Sequence, residues 1–235
     1  MSTYVVSDIH GKYDKFIEVL DKINLKEEDT LYVLGDILDR GKHPIKVMLK
    51  LMEMKNVICI VGNHELMAIR CMDFIIQKIT ATSIDKLDKK IYRDFSIWYR
   101  NGAKTTIDEF IKLDSKMKFK IIDYMKNFIT YEKLYINNKN FLLVHGGLGD
   151  FHPDKKIEEY TLDELVWNRV DYDMKYFDNI YLVTGHTPTM LIESNTNPGY
   201  IYKANNHIAI DCGACFHGGR LGAICLDTGE EFYSS

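Results

Sequence analysis

The sequence lacks a long hydrophobic run and lacks an excess of positive charge. No apolar stretch among its 235 residues approaches the roughly 20 needed to span a bilayer, so we expect no membrane insertion. Its 30 Lys and Arg residues are outnumbered by 34 Asp and Glu, and the resulting net charge of −4 does not indicate nucleic-acid binding, which favours a basic domain. The first residues enter a strand pattern without a basic segment followed by an apolar one, which predicts a cytoplasmic protein.

Cysteine is also scarce, and its count is odd. Five cysteines in a chain of this size argue against a disulfide framework. Cys59 and Cys225 lie in apolar strand patterns and are predicted to be core residues. Cys212 and Cys215 form a single C-x-x-C with histidines nearby, which leaves zinc binding or redox chemistry as alternatives. A structural zinc site normally has two such pairs, and no second pair is evident.

Linkers, internal repeats and low-complexity tracts are missing as well. The chain length allows one large domain or two small ones. Because no segment rich in Pro, Gly or Ser divides it, we predict a single domain over residues 1–235. Residues 66–136 differ in pattern, with helical spacing near both ends and a charged stretch at 86–93, and are predicted to form a helical insertion within that domain.

The first third of the chain contains repeated strand–loop–helix units. Residues 4–6, 31–34 and 57–61 are short apolar runs typical of buried strands, and each ends in a polar loop. Helical spacing follows over 12–23, and Pro44 opens a second helix at a favoured early position. Three successive β-α units with polar residues at the same end predict one parallel sheet.

The last third of the chain alternates short strands with glycine turns. Runs at 141–144 and 180–183 again end in polar loops, and the tail from 208 to 233 is predicted to form a mainly antiparallel second sheet. The predicted fold class is therefore α/β, a two-sheet β-sandwich flanked by helices, with the helical insertion.

Polar residues at five strand ends indicate the chemistry. Taken singly, a histidine after a strand is more often a hydrogen-bonded structural residue, and an aspartate near glycine is usually turn chemistry. Together they form an oxygen and nitrogen ligand set that suits Mn, Fe, Zn or Ni and is too large for one tetrahedral ion. Two ions sharing a bridging carboxylate would use the whole set and could hydrolyse a phosphate ester. The set is Asp8, His10, Asp36, Asn63, His145 and His186.

Five ordered motifs carry a family resemblance. They are S-D-I-H-G at 7–11, G-D-I-L-D-R-G at 35–41, G-N-H-E at 62–65, H-G-G at 145–147 and G-H-T at 185–187. They resemble the motifs of the phosphoprotein phosphatase branch of the calcineurin-like metallophosphoesterases, and most of all those of the compact bacterial and bacteriophage lambda type serine/threonine phosphatases. Residues 167–169 and 210–214 are similar to further segments of those enzymes. Ser7 departs from the usual glycine, and Cys212 stands where threonine is common.

The resemblance implies a role for each site residue. Asp8, His10 and Asp36 would hold a first metal, and Asp36 would bridge to a second. Asn63, His145 and His186 would complete that second site, with Mn²⁺ the expected ion in both. The resemblance also assigns the residues that act on the substrate. Arg40 and Arg169 would bind phosphate, His64 would be the general acid, and Asp39 would orient His64.

The implied function is a metal-dependent phosphomonoesterase that hydrolyses phosphoserine and phosphothreonine, and also phosphotyrosine, by attack of a metal-bridging hydroxide. Its partner would be a phosphorylated protein or peptide. The alternative is a symmetrical dinucleoside tetraphosphatase, but those relatives tend to have Ala where Asp39 stands and Asp where Glu65 stands. A non-enzymatic, metal-bound scaffold is a third hypothesis, which the intact ligand set disfavours. Trp98 is predicted to lie in the core rather than to contact substrate.

Overall fold

The computed structural model describes residues 1–76 and 89–235, so the predicted insertion and its charged stretch lie partly outside the described residues. The strands of one sheet are β1 (Thr3–Val6), β2 (Thr30–Leu34), β3 (Val57–Ile60), β9 (Gly222–Cys225) and β10 (Glu231–Tyr233). Their order in the sheet is β10-β9-β1-β2-β3. Strands β1, β2 and β3 are parallel, as predicted, whereas β9 is antiparallel to β1 and β10 is antiparallel to β9.

The strands of the second sheet are β4 (Tyr131–Ile136), β5 (Lys139–Val144), β6 (Ile180–Thr184), β7 (Tyr202–Ala204) and β8 (His207–Ala209). Their order in the sheet is β4-β5-β6-β8-β7. The three central strands, β5, β6 and β8, are parallel, and the two edge strands are antiparallel to their neighbours.

Helices cover the outer face of the first sheet, and the short helix Leu162–Trp167 contributes Leu165 to the apolar cluster on the outer face of the second. The first helix is capped at its C-terminal end by Asn24, which has a left-handed backbone conformation and whose N–H donates to Leu20 O. The second helix begins with Pro44, a residue favoured in the first turn. The helices are α1 (Tyr13–Ile23), α2 (Pro44–Glu53), α3 (Asn63–Ile76), α4 (Lys89–Arg100), α5 (Lys104–Phe110), α6 (Ser115–Lys126) and α7 (Leu162–Trp167).

Apolar side chains between the two sheets form the centre of the molecule. Val5, Leu34, Leu143 and Ile210 are all fully buried in this layer. A larger cluster joins the outer face of the first sheet to the helices, with Phe16, Trp98 and Phe110 fully buried. The predicted α/β two-sheet sandwich flanked by helices is confirmed, and so is the core position of Trp98.

Two details of the predicted fold are wrong. The tail does not build the second sheet alone, because β8 pairs parallel with β6 whereas β9 and β10 pair with the first sheet. The segment 66–136 is not wholly helical, because residues 131–136 form strand β4, and the last helix before that strand, α6, covers only Ser115–Lys126. Within residues 1–76 and 89–235, no helix combines the length and apolar character needed to cross a bilayer.

Candidate metal centre and active site

The polar loops meet where the carboxyl ends of the parallel strands of both sheets come together. Asp8 N donates to Gly35 O at 3.2 Å, which joins the loops after β1 and β2. Gly185 N donates to His145 O at 2.9 Å, which joins the loops after β6 and β5. His145 Nδ1 contacts Leu34 O at 2.6 Å and so ties one sheet to the other. This edge is where open α/β sheets bind ligands.

The backbone at this edge is strained. Six non-glycine residues of the predicted site have positive φ angles, between 44° and 70°. For residues with a β-carbon, this left-handed conformation costs roughly 1–2 kcal/mol each and is found where the surrounding structure enforces it. The six are Asp8, His10, Asp36, Asp39, Arg40 and His186.

Asp36 lies at the centre of the site, and each of its carboxylate oxygens faces a different histidine. Its Oδ2 is 3.5 Å from His10 Nε2, and its Oδ1 is 3.3 Å from His145 Nε2. Asp36 is 2% exposed, and both histidines are equally enclosed. A buried carboxylate between two imidazoles has the geometry of a bridging ligand.

The tautomers of the two histidines are fixed by the main chain. His10 Nδ1 contacts Leu38 O at 2.9 Å, and His145 Nδ1 contacts Leu34 O at 2.6 Å, so each Nδ1 is the donor. Each Nε2 therefore carries a lone pair that is directed at the Asp36 carboxylate. The ionised carboxylate has no proton to donate either, so hydrogen-bond acceptors face each other here. The Arg40 guanidinium donates to His10 Nε2 at 2.8 Å, so a cationic group already occupies part of this space. A buried group of facing acceptors fits a metal cation.

Two ligand groups share Asp36. The first contains His10, Asp36 and His64, and the second contains Asp36, His145 and His186. Asn63 adds an amide oxygen to the second group, because its Oδ1 is 3.0 Å from both His145 Nε2 and His186 Nδ1. The structure thus brings together the four residues predicted for the second metal.

The first group differs in one member from the prediction. His64 belongs to it, with its Nε2 3.8 Å from Asp36 Oδ2. Asp8 lies at its margin, with Oδ1 4.0 Å from His10 Nε2. His64 therefore has the position of either a general acid or a metal ligand, and its substitution separates the two roles, as described below.

Burial controls the ionisation of these groups. It raises the pKa of Asp36 well above the usual value, and the nearby Asp8 and Glu65 carboxylates act in the same direction. It lowers the pKa of His10 and His64 well below the usual value, and it lowers that of His186 to about 2. The His10 and His186 imidazoles are thus kept neutral, as metal ligands must be, and a bound cation would favour the ionised carboxylate.

Asp39 and His64 form a buried pair beside the ligand groups. His64 Nδ1 is 2.6 Å from Asp39 Oδ2, and both side chains are fully buried. Trp98 Nε1 donates to the same oxygen at 2.8 Å, and Thr106 Oγ1 donates to Oδ1 at 2.5 Å. Burial raises the pKa of Asp39 to about 7, although the hydrogen bonds from Thr106 and Trp98 oppose that shift. The pair can hold and move one proton beside the site.

Two exposed arginines flank the site. Arg40 N donates to Gly102 O at 3.0 Å, and Arg40 Nη2 donates to His64 Nε2 at 3.0 Å. On the other side, Arg169 Nη1 donates to Thr187 Oγ1 at 3.0 Å. Both predicted phosphate-binding arginines therefore border the same cluster. Arg40 is held through its main-chain N–H and its guanidinium, and Arg169 through its guanidinium.

Glu65, which in the sequence motif serves only to separate the two substrate classes, also holds the loop that carries Asp36 in place. Its buried carboxylate accepts hydrogen bonds from Asp36 N at 2.8 Å, Ile37 N at 2.9 Å, Leu38 N at 3.1 Å and Gly62 N at 3.1 Å. It thereby fastens the loop that carries Asp36 to the start of α3. The available signal was its place three residues after Gly62, where a glutamate reaches back to the start of its own helix.

Removing this charge should destabilise the protein. We expect Glu65→Gln to lower the free energy of unfolding by about 3 kcal/mol, because an amide offers only one acceptor oxygen to four N–H donors. Urea unfolding of chelator-treated protein measures the loss. Glu109→Gln is the matched control, since Glu109 accepts from Ile45 N in a half-buried position outside the site. Equal unfolding curves for the two variants would contradict this role for Glu65.

The cysteines form no metal site among the residues described. All five are free, and Cys59 and Cys225 are buried in the core as predicted. No candidate metal group within 1–76 and 89–235 contains Cys212 or Cys215. Cys212 is buried, whereas Cys215 is half-buried with its Sγ 3.8 Å from Arg40 Nη1.

Comparisons with known proteins agree with this geometry. A family profile described as calcineurin-like phosphoesterase matches residues 1–218. The asymmetrical bis(5'-nucleosyl)-tetraphosphatase PrpE of Bacillus thuringiensis is 24% identical over 94% of this chain and 88% of its own length. A symmetrical bis(5'-nucleosyl)-tetraphosphatase of Hamiltonella defensa is 31% identical over 48% of this chain. That match covers only 42% of the symmetrical enzyme.

Among solved structures, a serine/threonine phosphatase of Saccharomyces cerevisiae aligns over 97% of this chain and 73% of its own, with a TM-score of 0.57 and 15% identity. At that identity the likeness establishes the fold and not the substrate. The family profile covers most of the chain, including all five motif loops. The chain therefore belongs to the calcineurin-like phosphoesterase family.

Proposed function

We propose that this protein is a metal-dependent phosphomonoesterase that hydrolyses phosphoserine and phosphothreonine in proteins, with phosphotyrosine as a further substrate. The buried Asp39–His64 pair, joined at 2.6 Å, carries the proposal. A serine or threonine alkoxide is a strong base and needs a proton as it leaves. When a dinucleoside tetraphosphate is cleaved, the departing oxygen belongs to the phosphate of a nucleotide. That phosphate has a second pKa of about 6, so this leaving group needs little help from an acid. A buried acid is therefore most useful for alkyl phosphate esters.

The proposed metal ligands fall into two sets that share the Asp36 carboxylate. Asp8, His10 and Asp36 would hold one divalent ion, and Asp36, Asn63, His145 and His186 would hold the other. When bound, two such ions would neutralise charge on the phosphoryl oxygens and lower the pKa of water. Manganese is the ion that we propose, and Fe, Zn and Ni suit the same nitrogen and oxygen donors.

The arginines bind the phosphoryl group in this proposal. A guanidinium donates two parallel hydrogen bonds to phosphate oxygens, which fixes orientation as well as charge. Arg40 now donates to His10 Nε2 and His64 Nε2, at 2.8 and 3.0 Å. When it donates to phosphate instead, both nitrogens become available for their own roles. Arg169 holds the phosphoryl group from the opposite side.

His64 and Asp39 handle the proton. With Nδ1–H donating to Asp39, the Nε2 of His64 is the atom that faces the site and can carry a proton to the leaving oxygen. The Asp39 carboxylate fixes the ring and stabilises the imidazolium that this role requires. Trp98 and Thr106 hold Asp39 in turn, so the acid is aimed by a continuous set of hydrogen bonds.

Loss of Arg40 should affect both binding and turnover. We expect Arg40→Ala to raise KM about tenfold and to lower kcat about tenfold or more, because charge-assisted hydrogen bonds to phosphate are lost. Steady-state kinetics on a phosphoserine peptide measures both constants. Arg70→Ala is the control, since Arg70 is exposed and pairs with Asp163 outside the cluster. An unchanged kinetic profile for Arg40→Ala would remove Arg40 from the site.

Dinucleoside tetraphosphate hydrolysis is the second candidate function. The asymmetrical tetraphosphatase PrpE matches this chain across nearly the full length of both proteins, which is the observation that favours it. A turnover panel separates the two candidates. Chelated protein would be restored with Mn²⁺ and assayed with a phosphoserine peptide, a phosphotyrosine peptide and diadenosine tetraphosphate. A kcat/KM highest for the tetraphosphate would overturn the phosphomonoesterase proposal.

A further inference from the structure

Ser7 directly precedes the predicted metal ligand Asp8 in the loop after β1. The serine is 1% exposed, and its hydroxyl donates to Asp8 Oδ2. Leu34 O is the only other acceptor recorded for this hydroxyl in the described chain, at 3.1 Å. That carbonyl already accepts from His145 Nδ1 at 2.6 Å. A hydroxyl has one hydrogen to give, so the Asp8 carboxylate receives it.

The same carboxylate oxygen also accepts from the main chain of another ligand. His186 N donates to Asp8 Oδ2 at 2.9 Å. With two donors on Oδ2, the remaining oxygen of Asp8 is Oδ1, which faces His10 Nε2 at 4.0 Å. Ser7 thus helps to decide which oxygen of Asp8 is directed to the first ion.

Ser7 and Asp8 pack closely against Gly185. A β-carbon at Gly185 would overlap both Ser7 Oγ and Asp8 Oδ2, so glycine at 185 is required by the hydroxyl and the carboxylate together. Asp8 and His186 both have left-handed backbones, with φ of 53° and 61°. The Asp8 Oδ2 hydrogen bonds hold these two strained residues to each other.

We propose that Ser7 is a positioning residue for Asp8, and that its hydroxyl couples the ligands of the two metal sites. The inference rests on the dinuclear site of the proposed function. Ser7 fixes Oδ2 against the main chain of His186, a ligand of the second ion, and leaves Oδ1 to bind the first. A neutral donor achieves this without adding a positive charge that would compete with the metal. Groups that orient a ligand in this way typically change metal affinity by about 10–100-fold when removed.

The test compares metal binding by chelated wild-type protein, Ser7→Ala and Ser7→Gly during titration with MnCl₂. Isothermal calorimetry counts the ions bound, and electron paramagnetic resonance of free Mn²⁺ measures the affinities. We expect both variants to bind one of two ions about tenfold more weakly, with a smaller change for the other ion. Ser7→Gly removes the β-carbon together with the hydroxyl, so it keeps the comparison informative if Ser7→Ala fails to fold.

Ser234→Ala is the matched control. Ser234 is also buried, and its hydroxyl accepts from Leu221 N at 3.0 Å, on the first sheet near the C-terminus. A purely structural role for Ser7 would lower the unfolding temperature of the chelated protein, as is expected of Ser234→Ala, and leave Mn²⁺ affinity unchanged. Unchanged binding of both ions by Ser7→Ala and Ser7→Gly overturns the inference. If wild-type protein binds two ions but cleaves no phosphate ester, the proposed function fails while the binding comparison still decides the role of Ser7.

Discussion

Asp36→Asn is expected to lower kcat by about 1,000-fold or more and to remove at least one divalent ion. Asp36 is the only residue common to the two ligand groups of the described chain. Its oxygens face His10 Nε2 at 3.5 Å and His145 Nε2 at 3.3 Å. Asparagine replaces one of these oxygens by an NH₂ donor, so it cannot serve both sides. The loss corresponds to several kcal/mol of transition-state stabilisation, the scale of a two-metal clamp.

Metal content by elemental analysis and kcat on a phosphoserine peptide measure this result together. Asp29→Asn is the matched control, because Asp29 is also a buried aspartate that accepts main-chain hydrogen bonds, from Ser2 N at 2.7 Å and Lys26 N at 3.0 Å. It should keep both ions and normal turnover. Two ions bound with normal kcat in Asp36→Asn would remove Asp36 from the bridging position and with it the dinuclear proposal.

His64→Asn is expected to slow the hydrolysis of alkyl phosphates by about 10²–10⁴-fold, the usual contribution of a general acid. The loss on p-nitrophenyl phosphate should be far smaller, because p-nitrophenolate is a weak base that leaves without a proton. The ratio of kcat/KM for a phosphoserine peptide to that for p-nitrophenyl phosphate is the quantity to compare. Asp39→Asn should shift the ratio in the same direction, since it leaves the His64 ring without its carboxylate partner.

The same variant distinguishes the two positions open to His64. If His64→Asn loses an ion and slows both substrates equally, His64 is a metal ligand of the group that it forms with His10 and Asp36. If both ions stay bound and only the alkyl ester is affected, His64 is the acid. The hydrogen bond to buried Asp39 is compatible with either role, because carboxylates also orient metal-bound histidines.

The parallel core of the fold was predictable because its strands are short apolar runs separated by helical spacing, and such strand–helix–strand units are almost always joined by a right-handed crossover. The strand pairing of the C-terminal tail was not predictable. Strands β8 and β10 have three residues each, and a pattern that short does not specify its neighbour. Strand β4 was missed because the charged residues Glu132 and Lys133 are adjacent and so lie on opposite faces of the strand, which weakens the alternation by which strands are recognised.

The motif residues of the site were predictable because each follows a strand, and strand ends of parallel sheets meet at one edge. The groups that hold them were harder to find. Trp98 and Thr106 contact Asp39 across 59 and 67 residues of sequence, and Glu65 contacts the Asp36 loop across 29. Such contacts depend on how helices pack on the sheet, which local patterns do not specify.

The left-handed backbone at the site has a consequence for any variant library of this protein. Glycine adopts positive φ without steric cost, so it is the residue that backbone energetics favour at positions such as 8, 36 and 39. Burial adds a second penalty to the carboxylates at 36 and 39, whose pKa values it raises. The Asp36 carboxylate lies near the Asp8 and Glu65 carboxylates and accepts a main-chain hydrogen bond from His64 N at 3.1 Å. Screening chelated libraries for heat resistance alone would therefore favour smaller, uncharged residues at position 36 and select inactive proteins. At this position a ranking by thermal tolerance and a ranking by turnover should run in opposite directions.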